Sequence, residues 1–142
     1  MLDTITITNK LDGMRSYLSE LQPLLVHDNE AIKNDLTFLR SIERLLQLIV
    51  DAAIDINTSI IASMELEGPD DYAGTFVIAS RSGAFPVDFA EKISKSVGLR
   101  NAVVHKYEKV TVDRMLNDIK QNIGDYIEYI KFIKGFLDEK KQ

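Results

Sequence analysis

The feature that most constrains the fold of this chain is a long helical pattern between residues 32 and 64. Apolar residues recur there at spacings of three and four, and no glycine or proline interrupts the run. The apolar positions are Ile32, Leu36, Leu39, Ile42, Leu46, Ile49, Ala53, Ile56, Ile60 and Met64. At the rise of an α-helix this pattern predicts a rod of about 50 Å. Asp28, just upstream, is a candidate N-cap because its carboxylate can accept from amides of the next turn.

Shorter helical patterns lie on both sides of this stretch. The first is expected to end at Pro23, since the residue before a proline is pushed out of the helical region. Pro69 and Pro86 are each expected to open a helix, and Gly98 to end or kink the second of these. Thr111 is a candidate cap for a last long helix.

The sequence therefore predicts an all-α fold, an antiparallel bundle of about five helices that includes two long ones. The only candidate strand, residues 4–8, would have no partner to pair with. No repeat or low-complexity linker divides the chain, so residues 1–142 are expected to form a single helical domain.

Composition narrows the possible classes of protein. The chain has no cysteine, which excludes disulfides and thiolate-bound zinc. No apolar run is expected to reach the roughly 20 residues that span a bilayer, and no basic leader precedes an apolar stretch at the start. We therefore expect a cytoplasmic protein that does not associate with membranes.

Charge is distributed unevenly along the chain. The formal net charge is −5, yet residues 92–114 contain six lysines and arginines against two acidic residues. This segment therefore carries +4 and the remainder −9. A positive segment on an acidic body can focus polyanion binding at one site, although a chance cluster on a solvated face would look the same.

Both long helices are apolar over more than one stripe, around residues 45–50 and 126–133. One face of each helix can pack the bundle, which leaves a second face in need of cover. A homodimer would supply that cover. Short helices of the same chain are the alternative.

The chemically distinctive segment is residues 98–108, where Arg100, His105 and Tyr107 are spaced as R-x4-H-x-Y. This run, preceded by Gly-Leu and with Asn directly after the arginine, resembles the signature of HepT proteins, the toxin half of HEPN/MNT toxin–antitoxin modules. Residues 40–48 and 52–57 are similar to the family's second-helix run, and residues 72–76 to its aromatic-bearing third helix. The likeness covers most of the chain.

The resemblance implies a HEPN-like, all-helical dimer and a metal-independent endoribonuclease that uses no cofactor. It further implies a partner, an MNT-type nucleotidyltransferase antitoxin, that silences the toxin by attaching AMP to Tyr107. The added phosphate and adenosine would occupy the position of the RNA backbone, and their negative charge and size would prevent RNA from binding. The RNA substrate could be tRNA or mRNA.

The residue types themselves suit metal-free RNA cleavage. His105 is a candidate catalytic residue because histidine can serve as base for the 2′-OH or as acid for the leaving 5′-oxygen. Arg100 is the second, since its planar fork can hold two oxygens of the crowded phosphorane. Lys106 and Lys109 could bind flanking phosphates. Asn101, one turn before His105, could orient the imidazole or bond the sugar.

Helical geometry constrains how these residues cooperate. On a regular helix Arg100 and His105 lie about 140° apart, whereas Arg100 and Tyr107 nearly eclipse. Either the segment is distorted near Gly98, or the working site combines residues of two subunits. We prefer the second alternative because one histidine per chain cannot readily be base and acid at once.

Two further polar residues lie on the long helix among apolar neighbours. Asp55 and Asn57 could support the site from behind, but an ordinary solvated edge explains them equally well. Two other functions fit the same motif. The chain could be a non-catalytic partner that presents RNA or Tyr107 to a nucleotidyltransferase, or a dimerisation bundle with a purely structural role.

Overall fold

The computed structural model describes residues 2–105 and 111–140. Within those ranges every regular element is an α-helix. The eight helices are α1 (Thr4–Leu25), α2 (Asn29–Lys33), α3 (Leu36–Ser63), α4 (Gly74–Ser80), α5 (Val87–Ser94), α6 (Ser96–Val104), α7 (Val112–Asn122) and α8 (Gly124–Lys140). The all-α prediction is therefore confirmed. Residues 4–8, the one candidate strand, lie in α1.

Helix α3 is the centre of the bundle, as its unbroken apolar pattern predicts. It packs against α1 along its length and also contacts α2, α4 and α6. Its stripe of Ile42, Ile49, Ile56 and Ile60 is completely buried. Burial of this stripe, rather than helix propensity alone, stabilises a helix of 28 residues.

The long helix begins later than its pattern predicts. Asp28 does act as an N-cap, accepting from the Ala31 amide at 2.8 Å, but it caps only the five-residue α2. Asp35 then caps α3 by accepting from the Phe38 amide at 3.1 Å. An aspartate side chain that accepts from a backbone amide replaces the helical hydrogen bond at that point. Two such caps, seven residues apart, therefore divide the predicted helix into α2 and α3, although its apolar pattern is continuous.

Pro23 does not stop α1, contrary to the sequence prediction. The helix continues to Leu25 with the proline inside its last turn. Leu24 and Leu25 are half-buried against the hydrophobic core, so packing offsets the hydrogen bond that the proline removes.

The second half of the chain is more divided than the sequence suggests. Helix α4 begins at Gly74, five residues beyond Pro69, where the Gly74 amide donates to Asp71 Oδ1 at 2.7 Å. Pro86 opens α5 as predicted. The next break falls at Lys95, whereas Gly98 lies inside α6. A helical stretch tolerates one glycine, so Gly98 does not end α6.

Thr111 caps the following helix as predicted, accepting from the Arg114 amide at 3.2 Å. The last long helix is nevertheless two helices, α7 and α8, separated at Ile123. The described residues thus form eight helices rather than about five, and α3 exceeds every other helix in length.

Most of the second apolar face on the long helices is covered within the chain. Leu46, Ile49 and Val50 are buried, and so are Tyr126, Tyr129, Ile130 and Ile133, while neighbours such as Leu45 and Phe132 are half-buried. Helix α1 and the shorter helices of the same chain provide this cover. The wide apolar arcs therefore do not by themselves require a second subunit.

The length and apolar composition of α3 are relevant to the expectation that the chain contains no membrane-spanning segment. By length and composition alone it could cross a bilayer, which the sequence analysis did not anticipate. However, 56% of its most apolar stretch is buried by the other helices. The apolar length of α3 is accounted for by its place at the centre of the bundle.

Candidate active site

The candidate site forms where α6 lies against the middle of α3. Arg100 of α6 donates its Nε–H to Asp51 Oδ1 of α3 at 2.9 Å. The arginine side chain is 18% exposed and the aspartate 37%, so the pair lies at the rim of the core with one side open to solvent. Forty-nine residues separate the partners in sequence, and only the packing of α6 on α3 brings them together.

Two further groups surround the Arg100 guanidinium. Its Nη1 donates to Asn101 Oδ1 at 3.2 Å, and its Cζ lies over the Tyr72 ring, 5.6 Å from the centroid. An arginine has five N–H donors, and the two described bonds use one on Nε and one on Nη1. No hydrogen bond among the described residues uses the other three donors, which a phosphate could engage while Asp51 fixes the direction of the fork.

A buried polar chain holds the Tyr72 loop in place. The Tyr129 hydroxyl donates to Asn57 Oδ1 at 2.6 Å, and Asn57 Nδ2 donates to Thr75 Oγ1 at 3.2 Å. The Thr75 hydroxyl in turn donates to the Tyr72 carbonyl at 2.7 Å. Burial raises the pKa of Tyr129 well above its ordinary value, so its hydroxyl stays a neutral donor. The loop beside Arg100 is thus tied to α3 and α8.

His105 lies at the C-cap of α6, with φ −93° and ψ 16°. Its side chain is exposed, and its backbone N–H still donates to the Asn101 carbonyl at 2.9 Å. Within the described residues no hydrogen bond joins it to Arg100. Because α6 is helical through Gly98 up to Val104, the distortion considered near Gly98 is absent. Regular helical geometry therefore places position 105 about 140° around the axis from position 100.

The two polar residues singled out on the long helix have other partners. Asp55 Oδ2 accepts from Lys10 Nζ of α1 at 3.0 Å, and Asn57 belongs to the buried chain described above. Asp51, one turn before Asp55, is the residue that contacts Arg100. The sequence analysis missed Asp51. Its signal was a charged residue within an otherwise apolar stretch, which Asp55 shares.

Other predicted contributors are only partly located. Lys106, Tyr107 and Lys109 lie outside the described residues. Lys92, one of the six cations in residues 92–114, pairs with Asp125 Oδ1 at 3.1 Å. Asp125 is nearly buried, so this cation is partly neutralised by the bundle rather than offered to a ligand.

Comparison with known proteins decides the family. The sequence profile of the family described as ribonuclease HepT-like matches residues 14–133. The chain belongs to the HepT-like ribonuclease family. The predicted family, its ribonuclease class and its all-α fold are thereby confirmed, and Arg100 and His105 fall inside the matched region.

Two relatives and one solved structure illustrate the likeness of this HepT-like chain. The mRNA nuclease HepT of Shewanella oneidensis is 26% identical over 129 residues, which are 91% of this chain and 96% of the relative. The tRNA nuclease HepT of Aphanizomenon flos-aquae is 27% identical over 139 residues, or 96% and 92% of the two chains.

The solved structure is a tri-AMPylated Shewanella oneidensis HEPN toxin in complex with an MNT antitoxin. The HepT-like chain superposes on that toxin with a TM-score of 0.82 at 26% identity. The match covers 95% of this chain and 99% of the toxin. The similarity thus extends over nearly the whole of both chains.

Proposed function

We propose that this chain is the toxin of a HEPN/MNT module, a metal-independent endoribonuclease that acts as a single helical domain in the cytoplasm. The observation that carries the proposal is the guanidinium of Arg100, oriented by Asp51 and open on one side, in the R-x4-H segment of a HepT-like ribonuclease. An oriented and partly exposed arginine suits a phosphate whose negative charge grows during the reaction.

In the proposed reaction the 2′-oxygen attacks the adjacent phosphorus. A base takes the 2′-OH proton, the new O2′–P bond forms, the P–O5′ bond breaks, and an acid protonates the leaving 5′-oxygen. The products are a 2′,3′-cyclic phosphate and a 5′-hydroxyl. We assign the proton transfers to His105, the stabilisation of the phosphorane to Arg100, and contacts to the flanking sugar and phosphates to Asn101, Lys106 and Lys109.

We further propose that two subunits share the site. Arg100 and His105 lie on different sides of α6, and a second protomer would supply the second imidazole that the acid–base chemistry calls for. A two-fold axis near the end of α6 would bring one α6 segment beside the other. Val104, which is 41% exposed next to His105, would be covered by such an interface.

The proposed partner is an MNT-type nucleotidyltransferase that adds AMP to Tyr107. The support is the likeness over nearly the whole chain to a HEPN toxin solved as an AMPylated complex with an MNT antitoxin. The substrate is RNA in general terms, either tRNA or mRNA, because relatives named for each are almost equally similar to this chain.

The test is cleavage of a mixed RNA pool by the purified protein, with the His105→Ala variant as control. We expect cutting by the wild type alone, cyclic phosphate ends, and no loss of activity in EDTA. A single 2′-deoxy nucleotide at a mapped cut site should abolish cleavage there. Cleavage that survives this substitution would contradict the mechanism, and dependence on metal would contradict it independently.

A second function is favoured by one observation, the lack of a hydrogen bond between Arg100 and His105 among the described residues. A chain that binds phosphate without cutting it, as the non-catalytic partner of a nucleotidyltransferase, needs no such cooperation. The same RNA pool separates the two functions. Retention of RNA without cleavage, lost in Arg100→Ala, would support the binding partner.

A further inference from the structure

Tyr72 is an exposed aromatic side chain directly beside the candidate site. It is 55% exposed, whereas the rings of Phe76, Phe85, Tyr126 and Tyr129 pack against one another inside the bundle. Within the described ranges it is the one phenylalanine or tyrosine with more than half its surface exposed. An exposed ring does not gain the free energy that burial in the bundle would provide. Exposed apolar surface of this kind can instead bind a ligand.

The backbone that carries this ring is nevertheless held in place by hydrogen bonds. Both the hydroxyl and the amide of Thr75 donate to the Tyr72 carbonyl, at 2.7 and 3.2 Å. Thr75 is itself held by the completely buried Asn57. Asp71, the preceding residue, accepts from the Gly74 amide. The ring is thus exposed but its backbone is fixed from the core, which lowers the entropy cost of binding a ligand on it.

The chemistry around the ring matches the two halves of a nucleotide. Arg100, whose Cζ is 5.6 Å from the ring centroid, offers donors to a phosphate, and the ring offers an apolar π-face to a base. We propose that Tyr72 is the stacking platform for a nucleobase of the RNA, next to the phosphate that Arg100 binds. This rests on the proposed function, which supplies RNA as the ligand.

Two consequences separate this role from a purely internal contact with Arg100. Stacking needs a base on the ligand, whereas support of the guanidinium does not. Stacking also tolerates any base, because every base has a π-face, so Tyr72 would strengthen binding without selecting a sequence.

The chain contains no tryptophan, which allows a direct measurement. Tyr72→Trp places a single fluorophore at the platform, and Tyr17→Trp, on α1, is the matched control. The probe is a short 2′-O-methyl oligonucleotide, which keeps bases and phosphates but lacks the attacking hydroxyl. We expect saturable quenching in Tyr72→Trp only. An abasic oligonucleotide of equal length should bind in a salt-dependent manner without quenching it.

Cleavage by variants gives a second, independent measurement. Tyr72→Ala should lower kcat/KM by roughly 5- to 100-fold, the range seen when an aromatic stacking partner is removed. Tyr72→Phe keeps the aromatic ring and should lower kcat/KM much less than Tyr72→Ala does. For the wild type, an abasic nucleotide at the stacked position should lower kcat/KM as much as the Tyr72→Ala substitution does. For Tyr72→Ala, the same abasic substrate should lower kcat/KM little further.

The outcomes distinguish this inference from the function on which it rests. If the oligonucleotide binds but Tyr72→Trp is not quenched, or if abasic losses are equal in wild type and Tyr72→Ala, the platform is refuted and the nuclease stands. If the wild type cuts no RNA and no variant binds the oligonucleotide, the proposed function fails and the inference with it.

Discussion

The Nε–H of Arg100 and the Oδ1 of Asp51 are 2.9 Å apart, and this ion pair joins the motif helix α6 to the central helix α3. The aspartate acts on the substrate only through the arginine, which makes it a positioning residue. Its carboxylate competes with an RNA phosphate for the guanidinium, yet it uses a single donor and directs the rest of the fork outward.

Replacing Asp51 should therefore reduce RNA cleavage more than stability. Asp51→Ala should lower kcat/KM by about 10- to 100-fold, the cost of one hydrogen bond to a charged group, and Asp51→Asn should lower it less because an oxygen acceptor remains. Cleavage kinetics and thermal melts measure the two effects. Asp55→Asn, one turn along α3 and paired with Lys10, is the control and should cleave normally.

A shared site predicts complementation between inactive subunits. A mixed dimer of one Arg100→Ala and one His105→Ala protomer brings the remaining arginine and the remaining imidazole together at one shared site. Cleavage should therefore rise above the level of either parent but stay below half of the wild-type rate, because one imidazole is left for the two proton transfers. Differential tags isolate the mixed species from co-expression. Each parent homodimer serves as control, and a mixed dimer no more active than either parent would count against sharing.

Modification by the antitoxin should depend on one hydroxyl. Tyr107→Phe should remain an active ribonuclease but resist silencing, because the acceptor for AMP is gone. Intact-mass measurement after co-expression with the nucleotidyltransferase reports the added AMP, and RNA cleavage reports the silencing. Tyr17→Phe, on α1 and outside the candidate site, should be silenced as the wild type is. Full sensitivity of Tyr107→Phe would exclude this residue as the target.

The buried polar chain below Tyr72 should be important for stability. Tyr129→Phe removes the donor to Asn57 Oδ1 and leaves that buried oxygen without its partner, which should lower the free energy of unfolding by about 1–3 kcal/mol. Denaturant titration measures the change. Tyr17→Phe, on α1, is the control. A loss no greater than in that control would mean that the hydrogen bond contributes little.

Acid should weaken the contact between α2 and α7. Hydrogen bonding to Lys33 at 2.9 Å holds the pKa of Asp113 below its ordinary value of 3.8. The stabilisation is therefore present above that value and is lost as pH falls through the lower folded-state pKa. Asp113→Asn should flatten this part of the stability–pH curve, by a small amount because the pair is exposed. An unchanged curve would contradict the prediction.

The sequence was most informative where the physics is local. Helical periodicity, the caps at Asp28 and Thr111, and the opening of α5 at Pro86 each depend on a few neighbouring residues, and all four appear in the structure. The predicted helix boundaries were wrong where a second capping residue or a packing contact competed with the local sequence signal. Asp35 divided α2 from α3, and core contacts carried α1 past Pro23.

The candidate site shows the same division. The spacing of Arg100 and His105 in the chain was enough to indicate phosphate chemistry, and the resemblance it carried led to the family. The partner of Arg100 could not be read from the sequence, where Asp51 and Asp55 have equal claims. The two aspartates are one helical turn apart, and the position of α6 on α3 decides which of them contacts the arginine. Asp51 pairs with Arg100, and Asp55 pairs with Lys10.

The sequence by itself determined the helical class, the centre of the bundle and the identity of the motif residues, because helix formation and capping act over a few residues. Only the tertiary structure decided that Asp51 orients Arg100 and that Tyr72 lies beside it. Contacts across tens of residues depend on the packing of whole helices, which no local pattern encodes.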